Sequence, residues 1–283
     1  MAARQSPSVR ARQLARELRE LRTSAGRNMD EVAAELGWST AKVSRLETAY
    51  TLITVNDLNR LLDFYDITGE AAERYVKLAK AARERGWWES HSGILPDKYS
   101  AFIGLEADAQ KMRTYRVNIM DGLLQTQEYA RAISEAAIPP LLPSEVDLVV
   151  QVRMQRQSRI RSFEPLELHV VLDEGALRRR IGSADVMRRQ LEYLLEVAAL
   201  PNVRLQVFPF ERGYSTSQSF SVLDFQEPEY PAVIYISQMS GSLIIEDEAK
   251  VFEYTHVFEH ISSSALDEDG SREMIRKISS EYQ

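Results

Sequence analysis

The stretch that most constrains this chain runs from Asn28 to Glu47 and reads Asn-Met-Asp-Glu-Val-Ala-Ala-Glu-Leu-Gly-Trp-Ser-Thr-Ala-Lys-Val-Ser-Arg-Leu-Glu. Val32, Ala33 and Leu36, then Val43 and Leu46, fall at helical spacing in two successive short segments. Gly37 stands between them, where a helix that must stop and reverse takes left-handed backbone, which is cheap only without a Cβ. Asn28 and Ser39 precede the two segments as N-caps. Two helices closed on each other this way leave Thr40, Ala41, Lys42, Ser44 and Arg45 on the outer face of the second. Small and cationic side chains on an exposed helix suit the major groove and its phosphate walls. The pattern is a helix-turn-helix, and its expected partner is a double-stranded DNA operator. Asn28, Ser39, Thr40, Ala41, Lys42, Ser44 and Arg45 are the expected DNA-binding residues. Lys42 and Arg45 can each read guanine or hold phosphate, Asn28 can offer a backbone amide to phosphate, and Trp38 is expected in the core.

Charge supports this reading locally. The whole chain has a formal net charge of −7. Residues 1–50 hold nine Arg/Lys and six Asp/Glu, a net of +3, whereas residues 91–283 hold 20 and 29, a net of −9. Charges beyond about 8–10 Å are screened at physiological salt, so DNA senses the first segment. The acidic remainder weakens non-specific binding and favours solubility. The chain contains no cysteine, which excludes disulfides, thiolate catalysis and Cys-ligated zinc. No apolar run reaches the roughly 18–20 residues of a membrane span, and the polar, Arg-rich N-terminus lacks the apolar segment of a secretory signal. A cytoplasmic, nucleoid-associated protein with no membrane partner is expected.

The 283 residues leave room for about two domains. Residues 1–85 are expected to form an all-α, five-helix, lambda-repressor-like domain. Its first eight residues are read as a flexible arm and residues 9–25 as an amphipathic helix with Leu14, Leu18 and Leu21 on one stripe. Residues 86–103, with Gly86, Trp87, Trp88 and Pro96, read as a linker. Residues 104–283 are expected to form an α+β sensor, partner-binding and dimerisation domain with a sheet of about four or five strands. Helices are expected at 104–116, 126–136, 144–162, 184–200, 247–265 and 271–281, and strands at 166–172, 203–208, 220–225, 233–236 and 243–245.

Enzymatic signals are weak, and no catalytic residue, cofactor or metal is expected. Phosphate-binding and dinucleotide glycine fingerprints and a nucleophile elbow are all missing from the sequence. His256-Val-Phe-Glu-His260 has the order of inverted zinc proteases, but only 23 residues follow it to supply a third ligand, and the apolar stripe of Tyr254, Phe258 and Ile261 leaves both histidines outward. Asp173 and Glu174 follow a strand, where catalytic carboxylates can sit; they can equally open the next helix, since acids favour its positive end. Phe208, Phe210, Tyr214 and Phe220 can line a ligand cleft, form a protein-docking surface or belong to the core.

Val32-Ala-Ala-Glu-Leu-Gly-Trp-Ser39 and Lys42-Val-Ser-Arg-Leu-Glu-Thr48 resemble the xenobiotic-response-element (XRE) class of helix-turn-helix regulators. The whole chain resembles the actinobacterial WhiJ-like regulators. That likeness is carried by Gly122-Leu-Leu-Gln-Thr126 with Glu128-Tyr-Ala-Arg131, Arg153, Arg156-Gln157, Leu172-Asp-Glu174, Ala176-Leu-Arg178, Val186-Met-Arg-Arg-Gln-Leu191 and Leu200-Pro-Asn-Val203. The resemblance implies a transcriptional regulator, repressor or antitoxin-like, with a small partner protein encoded nearby. It implies a homodimer on a two-half-site operator. It also implies that Glu47 pairs with Arg22 as a structural brace. Two positions depart from the pattern: Met29 stands where many XRE-class domains carry a DNA-touching Gln, and Ala49 where a Gly usually follows the recognition helix. A ligand-responsive regulator, and more remotely a DNA-tethered metal-dependent hydrolase, are the alternatives.

Overall fold

The computed structural model describes residues 9–83, 95–226, 231–238 and 241–282. The N-terminal arm and residues 86–94 of the expected linker lie outside them. The chain divides into two compact units, residues 1–105 and 106–283.

The first unit holds α1 (Val9–Ser24), α2 (Met29–Leu36), α3 (Thr40–Glu47), α4 (Val55–Phe64) and α5 (Gly69–Ala81). A further helix, α6 (Asp97–Asp108), begins inside it, so the five-helix count expected there falls short. Leu14 and Leu18 of α1 pack against Val32, Leu36, Val43, Leu46, Leu58 and Leu62 in one buried cluster. Full burial of each such side chain contributes roughly 1.5–3 kcal/mol. Ser39 and Thr54 cap α3 and α4 by accepting the amides of Lys42 and Asp57.

The second unit is built on a six-stranded sheet, two parallel crossovers followed by an antiparallel meander. Its strands are β1 (Lys111–Arg116), β2 (Glu167–Asp173), β3 (Val203–Phe208), β4 (Phe220–Asp224), β5 (Val233–Gln238) and β6 (Gly241–Ile245), in the order β3-β2-β1-β4-β5-β6. β1, β2 and β3 run parallel, and β4, β5 and β6 continue the sheet antiparallel. The crossover from β1 to β2 carries α7 (Gln127–Glu135) and α8 (Pro143–Arg156). That from β2 to β3 carries α9 (Glu174–Arg178) and α10 (Ala184–Val197). α11 (Glu248–Ser264) lays Phe258 and Ile261 onto Tyr115, Val171, Phe220, Val222 and Ile234, and α12 (Glu268–Ser280) closes the described fold.

Three expectations are corrected. The helix read over 104–116 is two elements: α6 stops at Asp108 and β1 follows, the strand that raises the sheet from the expected four or five to six. Its Lys-Met-Arg-Thr-Tyr-Arg sequence carries its apolar side chains at Met112 and Tyr115, at helix-like spacing, yet Met112, Thr114 and Tyr115 are all buried, and the segment is a strand because it is paired on both edges. α8 starts with Pro143 in its first turn instead of being capped by Ser144, because proline's fixed φ and missing N–H suit that position. It ends at Arg156 in a tight turn over Gln157–Ile160, short of Ser162. α12 begins at Glu268 rather than Ser271, because Asp267 caps it by accepting the Gly270 amide.

Candidate nucleic-acid interface

The interface starts from local geometry in α2 and α3. Asn28 caps α2 through a reciprocal box: its side chain accepts the Glu31 amide at 2.9 Å, and the Glu31 carboxylate accepts the Asn28 amide at 2.9 Å. The Asn28 N–H expected to be free for phosphate is thus already engaged. Gly37 ends α2 at φ 65° and donates to the carbonyls of Ala33 and Ala34. Arg60 reaches from α4 to the Leu36 carbonyl at 2.5 Å, satisfying another group at the same end. Arg22 and Glu47 form a bidentate pair, Nε–Oε1 2.6 Å and Nη2–Oε2 2.9 Å, which ties α1 to the end of α3. A further bond from Arg22 Nη1 to the Arg27 carbonyl at 2.9 Å leaves no freedom in that guanidinium.

On α3, Val43 and Leu46 are buried while Thr40, Ala41 and Arg45 are exposed and Lys42 and Ser44 half-buried. The five outward residues are not equivalent. The Thr40 hydroxyl donates to Asp30 of α2 at 2.5 Å. The Lys42 ammonium lies 3.0 Å from Asp57 of α4 and 4.1 Å from the centroid of the Trp38 ring. Arg45 alone presents a cation that no side-chain bond holds among the described residues. Trp38 is half-buried, packed on the unit's core and roofed by Lys42, instead of lying wholly within it. Met29 also packs against that core, which accounts for a side chain other than the DNA-touching Gln. Ala49 keeps the left-handed conformation of the glycine it replaces, with φ 53°, and its methyl is buried with Ala11, Ala15 and Ala82.

In the second unit several of the residues that carried the family likeness, Gln125, Arg153, Gln157 and Gln190 among them, meet at one segment, 120–126. Gln125 donates to the Met120 carbonyl at 2.7 Å and accepts from Arg153 at 2.8 Å. Gln157 donates to the carbonyls of Gly122 and Gln125 at 3.1 and 2.6 Å. Gln190 donates to the Leu124 carbonyl at 2.6 Å and accepts the Thr126 amide at 2.7 Å. Beneath them Asp121 takes Arg116 at 2.8 Å and the Leu123 amide at 2.9 Å. Burial works against charge at Asp121, but Arg116 and the Leu123 amide outweigh it and hold the carboxyl below its ordinary range. These polar side chains replace a strand partner for a buried loop whose backbone groups would otherwise be stranded.

Asp173 opens α9, accepting the Gly175 amide at 2.8 Å, and takes the Tyr115 hydroxyl at 3.0 Å. Burial pushes the Tyr115 phenol up, so it stays a donor. Glu174 is held by Arg178 at 2.5 Å and by the Phe210 amide at 2.9 Å. His256 and His260 are exposed on α11, and no group of three potential metal ligands occurs among the described residues. The aromatic run splits: Phe208 and Phe220 are core, whereas Phe210 and Tyr214 are 56% and 83% exposed.

Residues 99–277 match the family described as "Domain of unknown function (DUF5753)". The chain belongs to the DUF5753 family. Residues 13–75, which span α2 and α3, match a family described as "Helix-turn-helix domain". The DUF5753 match takes in the 120–126 segment and every side chain that pins it. No curated protein and no solved structure matches the chain. The chain thus joins a DNA-binding helix-turn-helix domain, as in transcriptional regulators, to a DUF5753 domain, and no helix among the described residues is long and apolar enough to cross a membrane. Asp30, Asp57 and Arg60 bear on the interface without having been expected there. Their contacts to Thr40, Lys42 and Leu36 span 10 to 24 residues of sequence, and no local pattern announces them.

Proposed function

We propose that this chain is a sequence-specific transcriptional repressor of the XRE class, similar to the WhiJ-like regulators. A homodimer sets one α3 into each of two major-groove half-sites about 34 Å apart. The observation that carries the reading is the face of α3: Ala41, Ser44 and an unheld Arg45 turn outward while Val43 and Leu46 anchor the helix. Ser39, Thr40, Lys42 and Asn28 frame that face through caps and side-chain ties. The deciding experiment selects bound fragments from genomic DNA and then measures Arg45→Ala on the recovered operator by mobility shift. Unchanged affinity would remove Arg45 from the contact and take the main support from the reading.

The second unit acts in this reading as the receiver of a signal, in antitoxin-like fashion, from a small partner protein encoded nearby. Exposed Phe210 and Tyr214 favour a protein surface over a small ligand, since aromatic anchors standing proud of a surface suit a partner's pockets. Co-expression with the neighbouring small gene tests this, because a true partner co-purifies and releases the operator. No enzymatic activity is assigned: Asp173 and Glu174 are occupied as a helix cap and an ion-pair partner. Purified protein carrying stoichiometric zinc would argue instead for the hydrolase alternative at His256 and His260.

A further inference from the structure

The recognition helix carries two cations, and they are treated differently. Arg45 is exposed and, among the described residues, held by no side-chain bond. Lys42, half-buried, has its ammonium lodged between the Asp57 carboxylate at 3.0 Å and the Trp38 ring at 4.1 Å, and both surfaces attract a cation. Asp57 is itself fixed. It sits in the first turn of α4, where the helix dipole favours an acid, and its amide is held by the Thr54 side chain at 3.0 Å. Resting on the DNA-binding reading above, the geometry points to Asp57 as a tethered counter-ion that keeps Lys42 off the DNA phosphates and so sets how tightly, and with what salt dependence, the protein holds any duplex.

The physical consequence follows from how DNA is bound. Non-specific affinity comes almost wholly from cations that displace the counter-ions of phosphate, whereas base contacts supply discrimination. A carboxylate that satisfies one recognition-helix cation from within, and repels phosphate at the same place, lowers affinity for every duplex alike. The contribution of Ala41, Ser44 and Arg45 to the correct sequence is untouched. Absolute affinity falls on operator and random DNA alike, and the ratio between them stays as it is.

The test compares wild type, Asp57→Asn and Asp57→Ser on a random-sequence duplex and on the selected operator, over a range of salt. Freeing Lys42 to take one phosphate should steepen the slope of log affinity against log salt by about 0.9 in both Asp57 variants. From about 50 to 200 mM salt each variant then loses about 3.5-fold more affinity than wild type does. Its preference for the operator over random DNA stays as in wild type, because the added phosphate contact is common to both duplexes. Lys42→Met, which keeps the stem over Trp38, should leave the wild-type slope unchanged and restore it in the Asp57→Asn background. An unchanged slope in both Asp57 variants overturns the assignment, as does a wild-type slope lowered by Lys42→Met. A wild-type protein that binds no duplex even at the lowest salt sinks the DNA-binding reading itself, an outcome distinct from either.

Discussion

Arg156 holds Glu106 through two parallel bonds, Nε–Oε1 2.7 Å and Nη2–Oε2 2.6 Å, with both side chains buried. Gly122 lies against the same guanidinium, where a Cβ would meet Nη1 at 3.2 Å. Removing one partner of a buried pair strands the other's charge, at about 3–5 kcal/mol. Glu106→Ala should therefore lower the stability of the second unit by about that much. Gly122→Ala should cost less, because the guanidinium must give by only a few tenths of an ångström. Urea unfolding followed by far-UV circular dichroism reads both, and equal losses would mean that Gly122 matters for another reason.

The brace between Arg22 and Glu47 predicts a coupled loss in the first unit. Glu47→Ala leaves the Arg22 guanidinium in a nearly closed site with one remaining carbonyl partner, Arg27. A loss of about 3–5 kcal/mol is expected. Operator affinity should fall in step, although Glu47 touches no DNA in this reading. Unfolding and mobility-shift measurements on one preparation check the pair, and a stable variant with wild-type affinity would discount the brace.

Ala49 makes an opposite kind of prediction. Ala49→Gly relieves a left-handed strain of roughly 1–2 kcal/mol and removes a buried methyl worth about 0.8 kcal/mol. It also adds chain freedom in the unfolded state. The terms nearly cancel, so thermal unfolding should shift by less than about 1 kcal/mol despite the residue's burial. A large destabilisation would show the methyl's contacts with Ala11, Ala15 and Ala82 to be worth more than their area.

His169 gives the second unit an acid-side pH dependence. Its ring meets Phe258 edge-on at 4.9 Å and sits 2.7 Å from the Gln206 side-chain oxygen, and burial lowers its pKa to about 4. Above about pH 6.5 the ring is neutral folded and unfolded, and the full stability is present. Below it the unfolded chain takes up a proton that the folded chain refuses, so stability is lost as the pH falls toward 4. The loss is on the order of 1–2 kcal/mol, allowing for partial solvent exposure. Chemical unfolding at pH 7.5, 6 and 5 should show this slope in the wild type and a flatter one in His169→Gln.

The readable parts of this molecule are those whose cause is local. Gly37, Asn28 and Ser39 act within four residues of themselves, so α2, the turn and α3 can be drawn from sequence. β1 reads as helix in the sequence because Met112 and Tyr115 continue the helical spacing of the segment before them. Only pairing with β2 and β4, from 56 and 113 residues away at Lys111, decides the matter. The interface followed the same divide. Its outward residues are visible in the spacing of α3, but Lys42 and Thr40 are claimed by Asp57 and Asp30 through contacts that exist only after the helices have packed.

The segment 120–126 shows what a signature of this kind measures. Gln125, Arg153, Gln157 and Gln190 spend their side chains on backbone groups or on one another. Chains sorted by those residues are therefore sorted by how a frame is held, not by what it recognises. Under the proposal above, what such a chain recognises is to be sought on exposed side chains outside that segment, such as Phe210 and Tyr214. If that proposal holds, exchanging the loop that carries them between two such chains carries over the choice of partner and leaves the framework unaltered.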